Sequence, residues 1–120
     1  MKIAVTAQGD RITDPIDLRF GRTRYLMVVD AETGRFTAHD NVVNLNAAQG
    51  AGIQTGRNIA ELGVEAVITG NVGPNAFKTL TAAGVKIYLA EQQTVQEAIE
   101  AYKNGALKEA DNPNVQGHWD

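Results

Sequence analysis

Cysteine is absent from this sequence. That one absence removes disulfides, thiolate catalysis, Cys-type zinc sites and cysteine-ligated iron–sulfur clusters together. Any metal must be held by other means. Long apolar runs are missing as well: no window approaches the roughly 18 apolar residues of a membrane span. The chain goes straight into Lys2-Ile3-Ala4-Val5, without the apolar stretch of a signal peptide. The expected compartment is therefore the cytoplasm, with no membrane partner. There is no basic excess either. The formal net charge is -3, which runs against the basic face that nucleic-acid binding leans on.

Catalytic equipment is equally thin. Residues 3–6 and 66–69 read as strands and carry no carboxylate, whereas a magnesium-dependent nuclease needs carboxylates on its central strands. His39 and His118 lack an evident partner that would make either a general base. His39 reads as a solvated strand residue, with metal ligation as the sharper alternative. The turn around Gly73 lacks the Lys-Ser/Thr that a phosphate loop carries after its last glycine. What is left is non-catalytic binding.

What is present is organised around Thr69-Gly70-Asn71-Val72-Gly73-Pro74-Asn75-Ala76. An apolar run stops there and a helix starts, with Pro74 suited to a first helical position where its missing N–H costs little. Gly70 and Gly73 leave the backbone bare on either side of Asn71. Main-chain N–H groups beside the positive end of a helix favour an anion. The plainer reading is a tight turn that needs glycine, and both stay open on this turn alone.

With 120 residues the chain is most simply one domain, able to bury about two thirds of its unfolded surface. Residues 2–6 form a first strand. A long connection follows, without helical or strand period, and such a loop is more often functional than accidental. It holds Asp10, Asp14 and Asp17 with Arg11, Arg19, Arg22 and Arg24. Phe20 plugs this loop onto the core. The arginines either pair with the nearby aspartates or serve a ligand.

Residues 25–30 and 35–41 flank Ala31-Glu32-Thr33-Gly34, a hairpin with Gly34 supplying the positive φ. Residues 45–49 lose strand character, and Gly50-Ala51-Gly52 leads into a helix marked by Ile53, Gly56, Ile59 or Ala60, and Leu62. The small residues predict close approach to a sheet. Gly63, Gly84 and Gly105 then recur at equal intervals, each read as a helix C-cap. Helix-cap-strand units in succession force parallel strands with right-handed crossovers. The second helix spans about residues 74–83, and the fifth strand residues 86–90. In the third helix Thr94 and Glu97 make a capping box, and Val95, Ala98, Ile99 and Tyr102 form the apolar stripe.

The expected fold is α/β: three layers, with a mixed five-stranded sheet, the hairpin at one edge and helices on both faces. Residues 1–107 form the single domain, and residues 108–120 a loosely ordered tail. In such sheets ligands sit beyond the carboxyl ends of the parallel strands where strand order reverses. That puts the long loop, the Gly50/Gly52 helix start and the Gly70 to Asn75 turn at one rim.

Gly21 after Arg19-Phe20, the Gly50/Gly52 helix start, the Thr69-to-Phe77 turn and Ala83-Gly84-Val85-Lys86-Ile87-Tyr88 together resemble the dinitrogenase iron–molybdenum cofactor family. The resemblance covers about residues 1–107. It implies a ribonuclease H-like fold and non-catalytic binding of a metal–sulfur cluster. Among the branches, a cysteine-free single domain is most similar to the orange proteins, which carry a molybdenum–copper sulfide cluster without covalent attachment. The iron–molybdenum cofactor or its precursor is the cargo of the other branch, whose members often use a histidine or extra domains. A thiometallate cluster is a polyanion with soft sulfide edges, so it wants N–H groups, arginines and apolar contacts. The candidate cluster-binding residues are thus Arg19, Phe20, Gly21, Arg22, Gly50, Gly52, Gly70, Asn71, Val72, Gly73 and Asn75. Arg19 and Arg22 would neutralise charge, the N–H groups from Gly70 to Asn75 would bond sulfides, and Phe20 and Val72 would supply apolar contact. The alternatives are a phosphate- or nucleotide-binding module, or a ligand-free interaction protein that docks a cytoplasmic ATPase or maturation enzyme.

Overall fold

A computed structural model describes residues 1–41 and 50–115. The expectations for residues 45–49 and for His118 lie outside the described residues. The strands are β1 (Lys2–Ala7), β2 (Tyr25–Asp30), β3 (Phe36–Asp40), β4 (Ala66–Thr69), β5 (Lys86–Leu89) and β6 (Lys108–Glu109). The helices are α1 (Ala51–Glu61), α2 (Pro74–Ala82) and α3 (Val95–Lys103).

Among the described residues the sheet has six strands, in the order β3-β2-β1-β4-β5-β6, not the five expected. The β2–β3 hairpin forms one edge as anticipated, and β1, β4 and β5 are mutually parallel. The added strand is β6, which pairs antiparallel with β5 through Tyr88–Glu109 and Leu89–Lys108. Two residues are too short to show a period in the sequence, so nothing marks this strand within the segment expected to be a loose tail.

Both faces of the sheet are covered, which is why β1 and β4 read as near-continuous apolar runs rather than alternating ones. On one face Ile3, Val5, Met27, Val29 and Ile68 pack with Val95, Ala98 and Ile99 of α3. On the other, Ala4, Leu26, Val67 and Ile87 pack with Ile59 of α1 and Ala76 and Leu80 of α2. The fold is thus three layers of mixed α/β.

Local signals explain the element ends. Gly34, Gly63, Gly84 and Gly105 all have positive φ, between 70° and 78°, so the hairpin and helix-cap readings hold. Thr94 and Glu97 close the predicted capping box. Pro74 stands at the start of α2, after Gly73 as N-cap. The inward face of α1 differs from expectation: its buried residues are Ala51, Gly52, Thr55, Gly56 and Ile59. Gly56 serves helix–helix contact, because a Cβ there would stand 2.9 Å from Thr79 Cγ2 of α2. Close approach was legible from the small residue, but its partner was not.

Candidate functional site

From β1 the chain runs outward to β2 and β3, while β4 leads the other way to β5 and β6. Strand order therefore reverses between β1 and β4, and the carboxyl ends of these neighbours are where an open α/β sheet binds ligands. The loop of residues 8–24 leaves β1 at this point, and the turn at residues 70–73 leaves β4.

Paired threonines tie the two together. The Thr6 hydroxyl donates to the Asp17 carbonyl oxygen at 2.6 Å and lies 2.9 Å from the Thr69 hydroxyl, while Asp17 N–H donates to Thr6 O at 2.8 Å. Beyond them the loop runs beside the turn like a short parallel strand, with Arg19 opposite Asn71. Asn71 N–H donates to Leu18 O at 2.7 Å, and Phe20 N–H to Asn71 O at 3.2 Å. Gly70 is required for this approach. A Cβ there would lie 2.9 Å from Leu18 Cα, closer than real packing tolerates.

An open cleft of about 470 Å³ lies at this rim, and its described lining residues are Gln8, Asp17, Leu18, Arg19, Arg24 and Gln92. Gln8 and Gln92 reach it from opposite sides of the sheet centre, and both donate a carboxamide N–H to Ile16 O, at 3.1 Å and 3.3 Å. Asp17 is buried, and its carboxylate accepts from Arg19 N–H at 3.0 Å, Arg19 Nε at 3.3 Å and Arg24 N–H at 3.3 Å. One wall is thus held by a carboxylate whose oxygens face donors of its own loop. Arg24 continues outward over the Tyr25 ring, 4.5 Å from its centroid, and pairs with Asp40 at 2.6 Å. Guanidinium and carboxamide groups of this kind are hydrogen-bond donors suited to a preformed anion. Among the described residues no group of three His, Asp or Glu side chains is placed to hold a metal ion.

The expected site residues divide. Arg19 lines the cleft, exposed, and is paired with Asp17. Gly21 is buried, and its carbonyl accepts the Thr55 hydroxyl at 3.0 Å, which ties the loop to α1; Asn41 donates to the same hydroxyl. Arg22 is half-buried beside it. Gly50, at φ 79°, caps α1, and Gly52 is buried within it. Gly73 caps α2, and Asn75 lies exposed in its first turn. Phe20 and Val72, expected to offer apolar contact, are 1% and 0% exposed and belong to the core. They anchor the loop and the turn, since burial of a large apolar side chain outweighs surface display.

The turn is also not the bare nest that its glycines suggest. Asn71 N–H is taken by Leu18 O, and Val72 N–H donates to Asn114 Oδ1 at 2.8 Å. Neither partner could be placed from the sequence, because each is brought in by tertiary structure. Gln8, Asp17, Leu18, Arg24 and Gln92, which line the cleft, are likewise not among the candidate residues drawn from the sequence. The alternating charges of residues 10–24 were the only signal available for two of them.

Comparison with known proteins gives this geometry a family. The family model described as dinitrogenase iron-molybdenum cofactor matches residues 1–105. The apo form of the orange protein from Desulfovibrio gigas superposes with a TM-score of 0.92 at 37% identity, over 95% of this chain and 96% of that one. A Thermotoga protein solved by NMR gives 0.79 at 39% identity, over 90% and 91%. An uncharacterized protein of Methanocaldococcus jannaschii is 30% identical over 90% of both chains. The chain belongs to the dinitrogenase iron–molybdenum cofactor family.

Proposed function

We propose that this protein binds and carries a preassembled anionic metal–sulfur cluster, without catalysis, at the rim between β1 and β4. The observation that carries the reading is the loop-to-turn junction. Leu18, Phe20 and Asn71 are joined by backbone hydrogen bonds, so Arg19 is presented beside the cleft from a fixed base rather than from a free loop. A fixed cation loses less entropy on meeting an anion. Family membership and the likeness to the orange protein support a cluster carrier.

The finer assignments are part of the same proposal. The cargo is a molybdenum–copper sulfide cluster held non-covalently, as the resemblance to the orange-protein branch implies, in preference to the iron–molybdenum cofactor or its precursor. Arg19 and Arg22 neutralise its charge, and the starts of α1 and α2, at Gly50, Gly52, Gly73 and Asn75, turn their positive ends toward the same rim. Gly70 lets the Arg19 loop close onto the turn, and the Gly21 carbonyl ties that loop to α1. The strand order and the helices on both faces support a ribonuclease H-like scaffold. A carrier of this kind works in the cytoplasm and hands its cargo to a maturation enzyme or an ATPase.

Adding tetrathiomolybdate and copper to the apo-protein tests this directly. The expected outcome is a new visible absorption band, with amide shifts gathered at residues 17–24 and 70–75. An absent band, shifts confined to the α3 face, or displacement of the cluster by nucleotide at equal concentration would overturn it.

A further inference from the structure

Beyond β6 the chain returns to the rim. Ala110 N–H donates to Ile87 O at 2.8 Å, extending the edge, and the backbone then crosses to the turn after β4. There Asn114 closes onto residues 70–72. Its carboxamide oxygen accepts from Val72 N–H at 2.8 Å, and its carboxamide nitrogen donates to Gly70 O at 3.0 Å and to Asn71 Oδ1 at 3.4 Å. Its own N–H donates to Val72 O at 3.0 Å. Residues 70–72 are thus flanked on one edge by the Arg19 loop and on the other by Asn114.

The two edges are chemically unequal. The Arg19 loop meets Asn71 through backbone groups and is anchored by buried Phe20 and Asp17. On the other edge, the N–H of fully buried Val72 is satisfied by the neutral side chain of an exposed residue. That acceptor is the one a ligand would have to contest. A charged acceptor makes a hydrogen bond roughly twice as strong as a neutral carboxamide does. An anion in place of Asn114 Oδ1 at Val72 N–H would have no proton to give Gly70 O, so the exchange would lose a bond as well as gain one. Only an anion that also reaches Arg19, across Asn71, recovers the difference.

We propose that Asn114 is a specificity-determining residue for the cluster cargo: it holds Val72 N–H before loading, yields it to an extended polyanion, and keeps it from small monoanions. This rests on the carrier reading above. Replacing Asn114 removes the competitor, and Asn114→Asp keeps an acceptor while adding a charge that repels the cargo.

The experiment titrates the full-length wild type, Asn114→Ala and Asn114→Asp with tetrathiomolybdate and copper, and separately with chloride. Absorption gives affinity, and NMR follows the Val72 amide and the Asn114 carboxamide protons. Expected are several-fold tighter cluster binding by Asn114→Ala, several-fold weaker binding by Asn114→Asp, and, in the wild type, displacement of both resonances on loading but not by chloride. Equal or weaker binding by Asn114→Ala, or wild-type carboxamide resonances that stay put at saturation, overturns the inference alone. The wild-type measurement decides even where a variant folds poorly. No binding by the wild type overturns the carrier function and this inference with it.

Discussion

Leu18 lies directly against Gly70, so close that a Cβ on residue 70 would stand 2.9 Å from both Leu18 Cα and Cβ. Through this contact the loop after β1 and the turn after β4 become one wall. Gly70→Ala should therefore push the loop off the turn. Overpacking of this sort costs about 1–3 kcal/mol. The expected result is a lower midpoint in chemical denaturation together with faster proteolytic cleavage within residues 8–24. Unchanged cleavage there would show that the loop does not depend on the contact.

The hydroxyl of Thr6 is the second tie. Fully buried, it donates to Asp17 O and touches the Thr69 hydroxyl. Thr6→Val keeps the shape and removes the donor, leaving buried oxygens without a partner at a cost of about 1–3 kcal/mol. Thermal denaturation should register that loss, and Thr69→Val on top of it should cost less than it does alone, since the two hydroxyls share one interaction. Fully additive losses would argue against the pairing.

These two contacts also show what the sequence could and could not disclose. The glycines, the capping box and Pro74 act on their own neighbours within a few residues, so element ends were legible. The helix-cap-strand units around Gly63 and Gly84 predict parallel strands with helices on both faces of the sheet. Partners distant in sequence were not legible: Leu18 against Gly70, Thr55 under Gly21 and Asn114 on Val72 exist only once the sheet is assembled. In the sequence Phe20 fits both a core plug and a ligand contact. Nothing in the sequence can choose between these, because an aromatic ring beside arginines serves either use. β6 escapes because two exposed residues are too few to show a strand period.

The capping box makes a pH-dependent prediction. Glu97 accepts a hydrogen bond from Thr94 N–H at 2.9 Å, and the Thr94 hydroxyl accepts from Glu97 N–H at 3.1 Å. The bond from the Thr94 backbone, then its side chain, holds the Glu97 carboxyl below the ordinary glutamate value. A carboxyl lowered by folding contributes stability above its unfolded pKa and loses it as pH falls through the folded one. Wild type should thus exceed Glu97→Gln in stability at neutral pH, and the gap should close on acidification below the ordinary glutamate range. Denaturation across a pH series measures it, and a gap that widened in acid would contradict the assignment.

Arg19 sets the salt dependence of cargo binding. Its side chain is 48% exposed while that of its partner Asp17 is 5% exposed, so the pair has one end in solvent and one in the protein. Asp17 offsets part of the guanidinium charge and at the same time fixes where it points. At about 0.15 M salt, screening acts over roughly 8 Å, so an exposed cation loses much of its pull on an anion as ionic strength rises. Arg19→Ala should weaken tetrathiomolybdate–copper binding by about three- to tenfold at low salt, a discounted value for a charge-assisted bond at a partly exposed site. The deficit should shrink as salt is added. Arg19→Lys separates charge from geometry, because it keeps the cation but not the planar fork that Asp17 aligns. If position matters, the lysine variant keeps the wild-type salt slope yet binds more weakly at every ionic strength. If it binds as tightly as wild type, Asp17 is a structural support for the loop and the guanidinium contributes charge alone.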